Sequence, residues 1–262
     1  MTVTSNTTCR SYEKGSPHGR RGFSLLELIV VISITTLLMG LLMPTLSSVR
    51  ENARRVICGA NQRQFGQALT MYSGDHRNRL PVASILDLPE PDPGQLSLVR
   101  SGSVSTGVLF VSGNLRTVPE PLKESDWDGL GRLFQWHYCA APETFYCPSH
   151  EGDHCYEECK DKWESVANDE NLYANYQYVG HKDWRTGKRR SLLEGNELVL
   201  LTDGMRTKSD YSHGVGYNEL RGDGSVSWKD DVIIRTQLLN TPPVDFNGMR
   251  DLDDLIYKIF TK

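Results

Sequence analysis

The chain has no marked excess of either charge: 29 Lys and Arg stand against 33 Asp and Glu, a formal net charge of −4. No stretch gathers the positive side chains into a stripe, which excludes the electrostatic footprint of a nucleic-acid binder. The chain lacks a Gly-x-Ser-x-Gly elbow, a phosphate-binding Gly-Lys-Ser/Thr loop and a His-Glu-x-x-His helix. The common signatures of hydrolase, nucleotide and zinc-protease chemistry are therefore missing. Cysteines are few, six in 262 residues, and no Cys-x-x-Cys pair is matched by a second. Long apolar runs are equally scarce. With a mean hydropathy of −0.44, the chain is polar apart from one segment, and the length beyond that segment suits one globular domain.

That segment runs from Arg20 to Pro44. Between Phe23 and Met43 lie 21 residues whose only ionisable side chain is Glu27. The length matches the ~20 apolar residues that cross a hydrocarbon core as a helix. It exceeds the ~7–15 apolar residues of a secretory signal, and no small-x-small cleavage site follows it. Residues 1–22 carry Arg10, Lys14, Arg20 and Arg21 against Glu13, a net +3, and are otherwise polar and unpatterned. They read as a leader. Arg50, Arg54, Arg55 and Arg63 follow the segment, so local charge alone leaves its orientation undecided. A carboxylate at the centre of a membrane helix costs roughly 2.5–3.5 kcal/mol, and less near an end. Glu27 sits in the first turn, where its charge favours the helix dipole. A free amino group at Phe23 would satisfy it further.

Gly22-Phe23-Ser24-Leu25-Leu26-Glu27-Leu28-Ile29-Val30-Val31-Ile32 resembles the prepilin processing signal of type IV pilins and type II secretion pseudopilins. The resemblance implies cleavage by a prepilin peptidase between Gly22 and Phe23 and N-methylation of Phe23. Glu27 then becomes the fifth mature residue, and Pro44 falls where many family members also carry proline. It also implies an inner-membrane protein with a cytoplasmic amino terminus. The corresponding organisation is a cleaved leader at 1–22, an assembly and transmembrane helix at 23–75, and an exported domain at 76–262.

Beyond Pro44 the helical spacing continues through Leu46, Val49, Ala53, Ile57, Phe65, Leu69 and Tyr72, with Val56, Ala60 and Ala68 beside them. Gln62, Arg63, Gln64 and Gln67 fall largely off that stripe. Pro44 can kink the helix, since it lacks an N–H. Gly74 to Asn78 stops it, after roughly 78 Å at ~1.5 Å per residue. Residues 81–105, with Pro89, Pro91 and Pro93 close together, read as irregular surface chain. A short strand is expected at Val108–Val111 and a short helix at Gly129–Trp136. Strands are expected at Tyr173–Val179, Glu197–Thr202, Val215–Leu220 and Ser225–Trp228. The last two flank a hairpin turn at Arg221-Gly222-Asp223-Gly224. The fold class is α+β: a long N-terminal helix packed on a small antiparallel sheet with irregular loops.

Three further blocks strengthen the resemblance. Gly131-Arg132-Leu133, Phe145-Tyr146-Cys147-Pro148 and His213 followed after nine residues by Asp223-Gly224 are similar to blocks that accompany the prepilin signal in pilin-like proteins of one large bacterial group.

Cys9 lies in the leader, which leaves Cys58, Cys139, Cys147, Cys155 and Cys159. An exported domain favours disulfides, and Cys58 with Cys147 is the expected pair, because that link ties the domain to the helix. Five is odd, so at least one thiol stays unpaired or pairs between chains. Cys155 and Cys159 share a helix face but stand too far apart to bridge without distortion. A zinc site within 137–159, where His137, His150 and His154 cluster with the cysteines, is the alternative. His213 with Asp203, Asp210 and Asp223 offers an acid–base set, and the three aspartates offer a calcium site. The plainer reading has His213 and Asp223 hydrogen-bonding within the hairpin, with Gly224 supplying the turn. The expectation is a non-enzymatic pilus or pseudopilus subunit with no cofactor. Its partners are a prepilin peptidase, other pilin-like subunits and the inner membrane. The alternative is a single-pass membrane-anchored extracytoplasmic binding or surface protein that does not polymerise.

Overall fold

The computed structural model describes residues 22–87, 97–101, 108–111, 114–117, 126–150, 152, 154–164, 171–183, 185–204, 211–230 and 259. The chain divides into two compact units, Met1–Ser47 and Ser48–Lys262. Helix α1 (Leu25–Asp75) contributes to both and contains Pro44.

In the first unit every described residue is exposed, including Leu37, Leu41 and Met43. Its few hydroxyls are satisfied internally. Ser33, Thr36, Thr45 and Ser47 each donate to a backbone carbonyl three or four residues back, so they present no unmet hydrogen bond to an apolar surrounding. By length and composition this helix is able to cross a membrane.

In the second unit α1 buries Cys58, Gln62, Phe65, Leu69 and Tyr72, flanked by Gly59, Gly66 and Ser73. The spacing of four and three keeps these residues on one face. Small residues seven apart let the helix approach the sheet closely. A Cβ added to Gly66 would stand 3.0 Å from Leu220 Cδ1, and one on Gly59 3.5 Å from Asn218 Oδ1. The expected stripe is correct from Phe65 onward, but Leu46, Val49, Ala53, Val56 and Ile57 are exposed. Gln62, expected off the stripe, is fully buried. The helix ends as the sequence indicates: Arg77 and Asn78 take left-handed φ of 56° and 58°, and the Asn78 N–H donates to the Ser73 carbonyl.

The sheet facing α1 has four antiparallel strands in the order β5 (Tyr176–Tyr178), β6 (Val199–Asp203), β7 (Gly216–Arg221), β8 (Val226–Asp230). All of β6 is buried, because it is an inner strand covered on both faces. β7 and β8 form the expected hairpin, with Asn218 opposite Trp228. Two smaller ladders join β1 (Leu98–Arg100) to β4 (Leu172–Tyr173) and β2 (Val108–Val111) to β3 (Asn114–Thr117). β1 lies in the stretch expected to be irregular; three residues are too few to show a period. The core centres on Phe65, whose ring meets Phe145 at 4.9 Å and Tyr176 at 5.6 Å. Phe145 in turn meets Trp163 of α3 (Tyr156–Glu164).

The Gly131-Arg132-Leu133 block opens α2 (Gly131–Gln135). A Cβ on Gly131 would fall 1.9 Å from the Val99 carbonyl oxygen. Only glycine lets α2 sit this close to β1.

Candidate functional site

The N-terminal signal is local in structure. Gly22 and Phe23 lie outside α1 and are exposed, and nothing stands within 4 Å of a Cβ built on Gly22. Ser24 and Glu27 cap the helix reciprocally. The Glu27 N–H donates to Ser24 Oγ at 3.1 Å, and the Ser24 N–H donates to Glu27 Oε2 at 2.8 Å. This is a capping box. Its Ser-x-x-Glu signature is present in the sequence, and it gives Glu27 a partner beyond the helix dipole and a neighbouring amine.

A second centre is assembled from distant parts of the chain. Cys58 of α1, Cys147 of the Phe-Tyr-Cys-Pro block and His213, just ahead of β7, are all buried. One donor atom from each lies within 4.8 Å of the others. His213 Nδ1 faces Glu51 Oε1 at 2.6 Å, and Ser149 Oγ donates to Glu51 Oε2 at 2.8 Å. The Arg55 guanidinium stands 3.5 Å from Glu51 and 4.4 Å over the Trp228 ring. With Nδ1 engaged by a carboxylate, His213 Nε2 points to Cys147 Sγ at 3.5 Å and to Asp203 Oδ2 at 3.5 Å.

Neighbouring groups hold the rest. Tyr176 Oη is 3.3 Å from Cys58 Sγ and accepts from Asn61 Nδ2, which leaves its own proton for the sulfur. The Cys147 N–H donates to Asn175 Oδ1. Asp203 takes Gln62 Nε2 on Oδ1, and the Asn218 N–H and Nδ2 on Oδ2.

These contacts set the protonation. Burial opposes ionisation of Cys147, but hydrogen bonds from Cys58 and His213 hold its thiol well below the usual range. Burial pushes the Cys58 thiol up, reinforced by the Cys147 sulfur and the Asp203 charge. Burial also works against an imidazolium at His213, yet Cys147 and Asp203 raise it to about 9. Asp203 is pushed up to about 6, by burial first and then by the Cys147 charge. The set can therefore hold a thiolate beside an imidazolium, and it concentrates soft donors at one buried point.

The structure bears on three expectations. Among the described residues the five cysteines are free thiols, and the expected partners Cys58 and Cys147 are neighbours. His213 does not bond within its hairpin, because β7 separates it from the turn. It reaches Glu51 on α1 instead. Asp223 serves the turn without His213, accepting the Ser225 N–H at 2.9 Å, with Gly224 at φ +81°. The nine-residue spacing of His213 and Asp223 is thus the length of a strand with a buried centre at one end and a turn at the other. The zinc set within 137–159 is also not assembled. His137 is exposed, the His154 ring packs against Tyr173, and Cys159 is buried near Tyr146. Among the described residues, Cys58, Cys147 and His213 form the one close-set group of three metal-type donors. All three carry sequence expectations, Cys58 and Cys147 as a disulfide pair and His213 in the hairpin, but no local spacing links them. Of the calcium set, Asp203 is buried, Asp223 is exposed, and Asp210 lies outside the described residues.

A methylation signal on an exposed junction, leading into an apolar helix that continues into an α+β unit, defines a type IV pilin-like architecture. Comparison with known families agrees. The prokaryotic N-terminal methylation motif matches residues 17–43, and the family described as protein of unknown function (DUF1559) matches residues 47–106. Over these two segments the chain is similar to type IV pilin-like prepilin proteins. No curated protein and no solved structure matches it.

Proposed function

We propose that the chain is a non-enzymatic structural subunit of a pilus or of a type II secretion-like pseudopilus. The observation that carries this reading is the methylation motif at residues 17–43. A prepilin peptidase cuts between Gly22 and Phe23 and methylates the new terminus. The leader 1–22 is lost, the apolar part of 23–75 anchors the chain in the inner membrane with its amino terminus cytoplasmic, and the domain at 76–262 is exported. Other pilin-like subunits then pack against its helix. Exposure of the Gly22–Phe23 junction supports this order of events, since the bond is free to enter a protease cleft.

The test is mass spectrometry of membrane protein from cells carrying the cognate peptidase. A chain starting at N-methylated Phe23 is expected. Gly22→Val should leave the precursor uncut, although the structure has room for the larger side chain, because the constraint lies in the peptidase. A mature start at any other residue overturns the proposal.

A further inference from the structure

We infer that Cys58, Cys147 and His213 form a binding site for a zinc-type divalent metal ion that ties α1 to the sheet. The three side chains come from α1, from the segment after the Pro142–Phe145 turn, and from the approach to β7. Two sulfurs and an imidazole nitrogen are the donor set of tetrahedral zinc sites.

The spacing fits. Bond lengths of ~2.3 Å to sulfur and ~2.0–2.1 Å to nitrogen place adjacent tetrahedral ligands ~3.6 Å apart. Cys147 Sγ and His213 Nε2 are 3.5 Å apart. Asp203 Oδ2, 3.5 Å from the same nitrogen, borders the fourth position, which falls to it or to a water molecule.

The surrounding contacts also match a metal centre. Metal-bound histidines characteristically donate their other N–H to a carboxylate, which fixes the tautomer and aims the free nitrogen. Glu51 does this for His213 at 2.6 Å and is itself held by Ser149. Tyr176 is placed to donate to Cys58, and Asn175 takes the Cys147 N–H. A disulfide between Cys58 and Cys147 would use two of these groups and would leave the buried His213 and Asp203 beside an uncharged bond. A cleft of about 430 Å³, with Ile57, Asn61, Tyr146 and Cys147 in its wall, offers a route of the size an ion needs.

The experiment uses the untagged full-length chain, purified in detergent under reducing conditions and then exposed to zinc or cobalt alone. We expect one zinc per chain by elemental analysis. We also expect a cobalt form with sulfur-to-metal charge-transfer absorption and the intense visible bands of tetrahedral coordination. Cys147→Ser and His213→Ala should each abolish these bands. Glu51→Gln keeps all three donors and should weaken metal binding ~10–100-fold, as loss of an outer partner does. Cys139→Ser should leave metal binding unchanged. If a variant fails to fold, the wild-type stoichiometry and cobalt spectrum decide the matter. A folded wild-type chain that takes up no metal overturns the inference, as does zinc retained by Cys147→Ser. A Cys58–Cys147 disulfide in protein isolated natively, seen as a mass two hydrogens lighter and as a crosslinked peptide, also overturns it.

Discussion

Gln62 tests the packing of α1 on the sheet more sharply than any apolar residue. Its Nε2 donates to Asp203 Oδ1 at 2.9 Å and to the Asn218 carbonyl at 3.1 Å, while its Oε1 is buried without a hydrogen-bond partner. Gln62→Leu keeps the approximate shape and removes both donors. The bond to a carboxylate is worth ~1.5–3 kcal/mol and the one to a carbonyl ~1 kcal/mol; relief of the unpartnered oxygen returns ~1 kcal/mol. The net loss is about 2 kcal/mol. For a domain of this size each kcal/mol shifts Tm by ~2–4 °C, so the variant should melt about 4–8 °C lower. Gln67, on the same helix but exposed, is the control: Gln67→Leu should stay within ~0.5 kcal/mol of wild type. The assay is thermal unfolding of the full chain in detergent, followed by circular dichroism. Equal melting of the two variants would refute the assignment of Gln62 as a buried bridge between helix and sheet.

Three other perturbations follow from particular contacts. Glu27→Ala should leave membrane insertion and cleavage intact but sharply reduce recovery of crosslinked filaments at equal levels of processed protein. Glu27→Gln should be nearly as harmful; it retains a capping side chain, so normal assembly by that variant would assign the role to the cap rather than the charge. If wild type itself forms no higher-order species, the non-polymerising, membrane-anchored reading replaces the filament subunit. Gly131→Ala should cost about 3 kcal/mol or more, because its Cβ meets a backbone carbonyl that cannot swing away. Gly74→Ala, in open space within α1, should instead stabilise by up to ~1 kcal/mol; equal effects in denaturant melts would refute the docking of α2 on β1. Asp128, fully buried and accepting the Ser84 N–H, is pushed up to about 6, first by burial. A carboxyl raised on folding is held protonated by the native state, so its contribution is present below pH ~4 and lost as pH rises through 6, about 3 kcal/mol in all. Wild type should therefore lose stability relative to Asp128→Asn between pH 4 and 7; parallel curves would contradict this.

The processing signal, the apolar helix and the β7–β8 hairpin are legible in the sequence because each is written by residues close together in the chain. Gly22, Phe23 and Glu27 fall within one turn of a helix start, 21 residues without a second ionisable group need no partner to be understood, and Gly224 after Asp223 states its own turn. The same locality made Gly74 to Asn78 a reliable stop. What escaped depends on which surfaces meet. Gln62 looked solvent-facing because its type is usually exposed, and only Asp203 and Asn218 opposite it make burial tolerable. The sequence pairs Cys147 with Cys58 and places His213 in a hairpin, since nothing in their spacing brings His213 and Glu51 to that pair. Tertiary packing alone decided that meeting. A helix face brings residues far apart in sequence within a few ångströms of one sheet, and there the buried thiol of Cys147, the His213 ring and the Asp203 carboxyl become one another's polar partners.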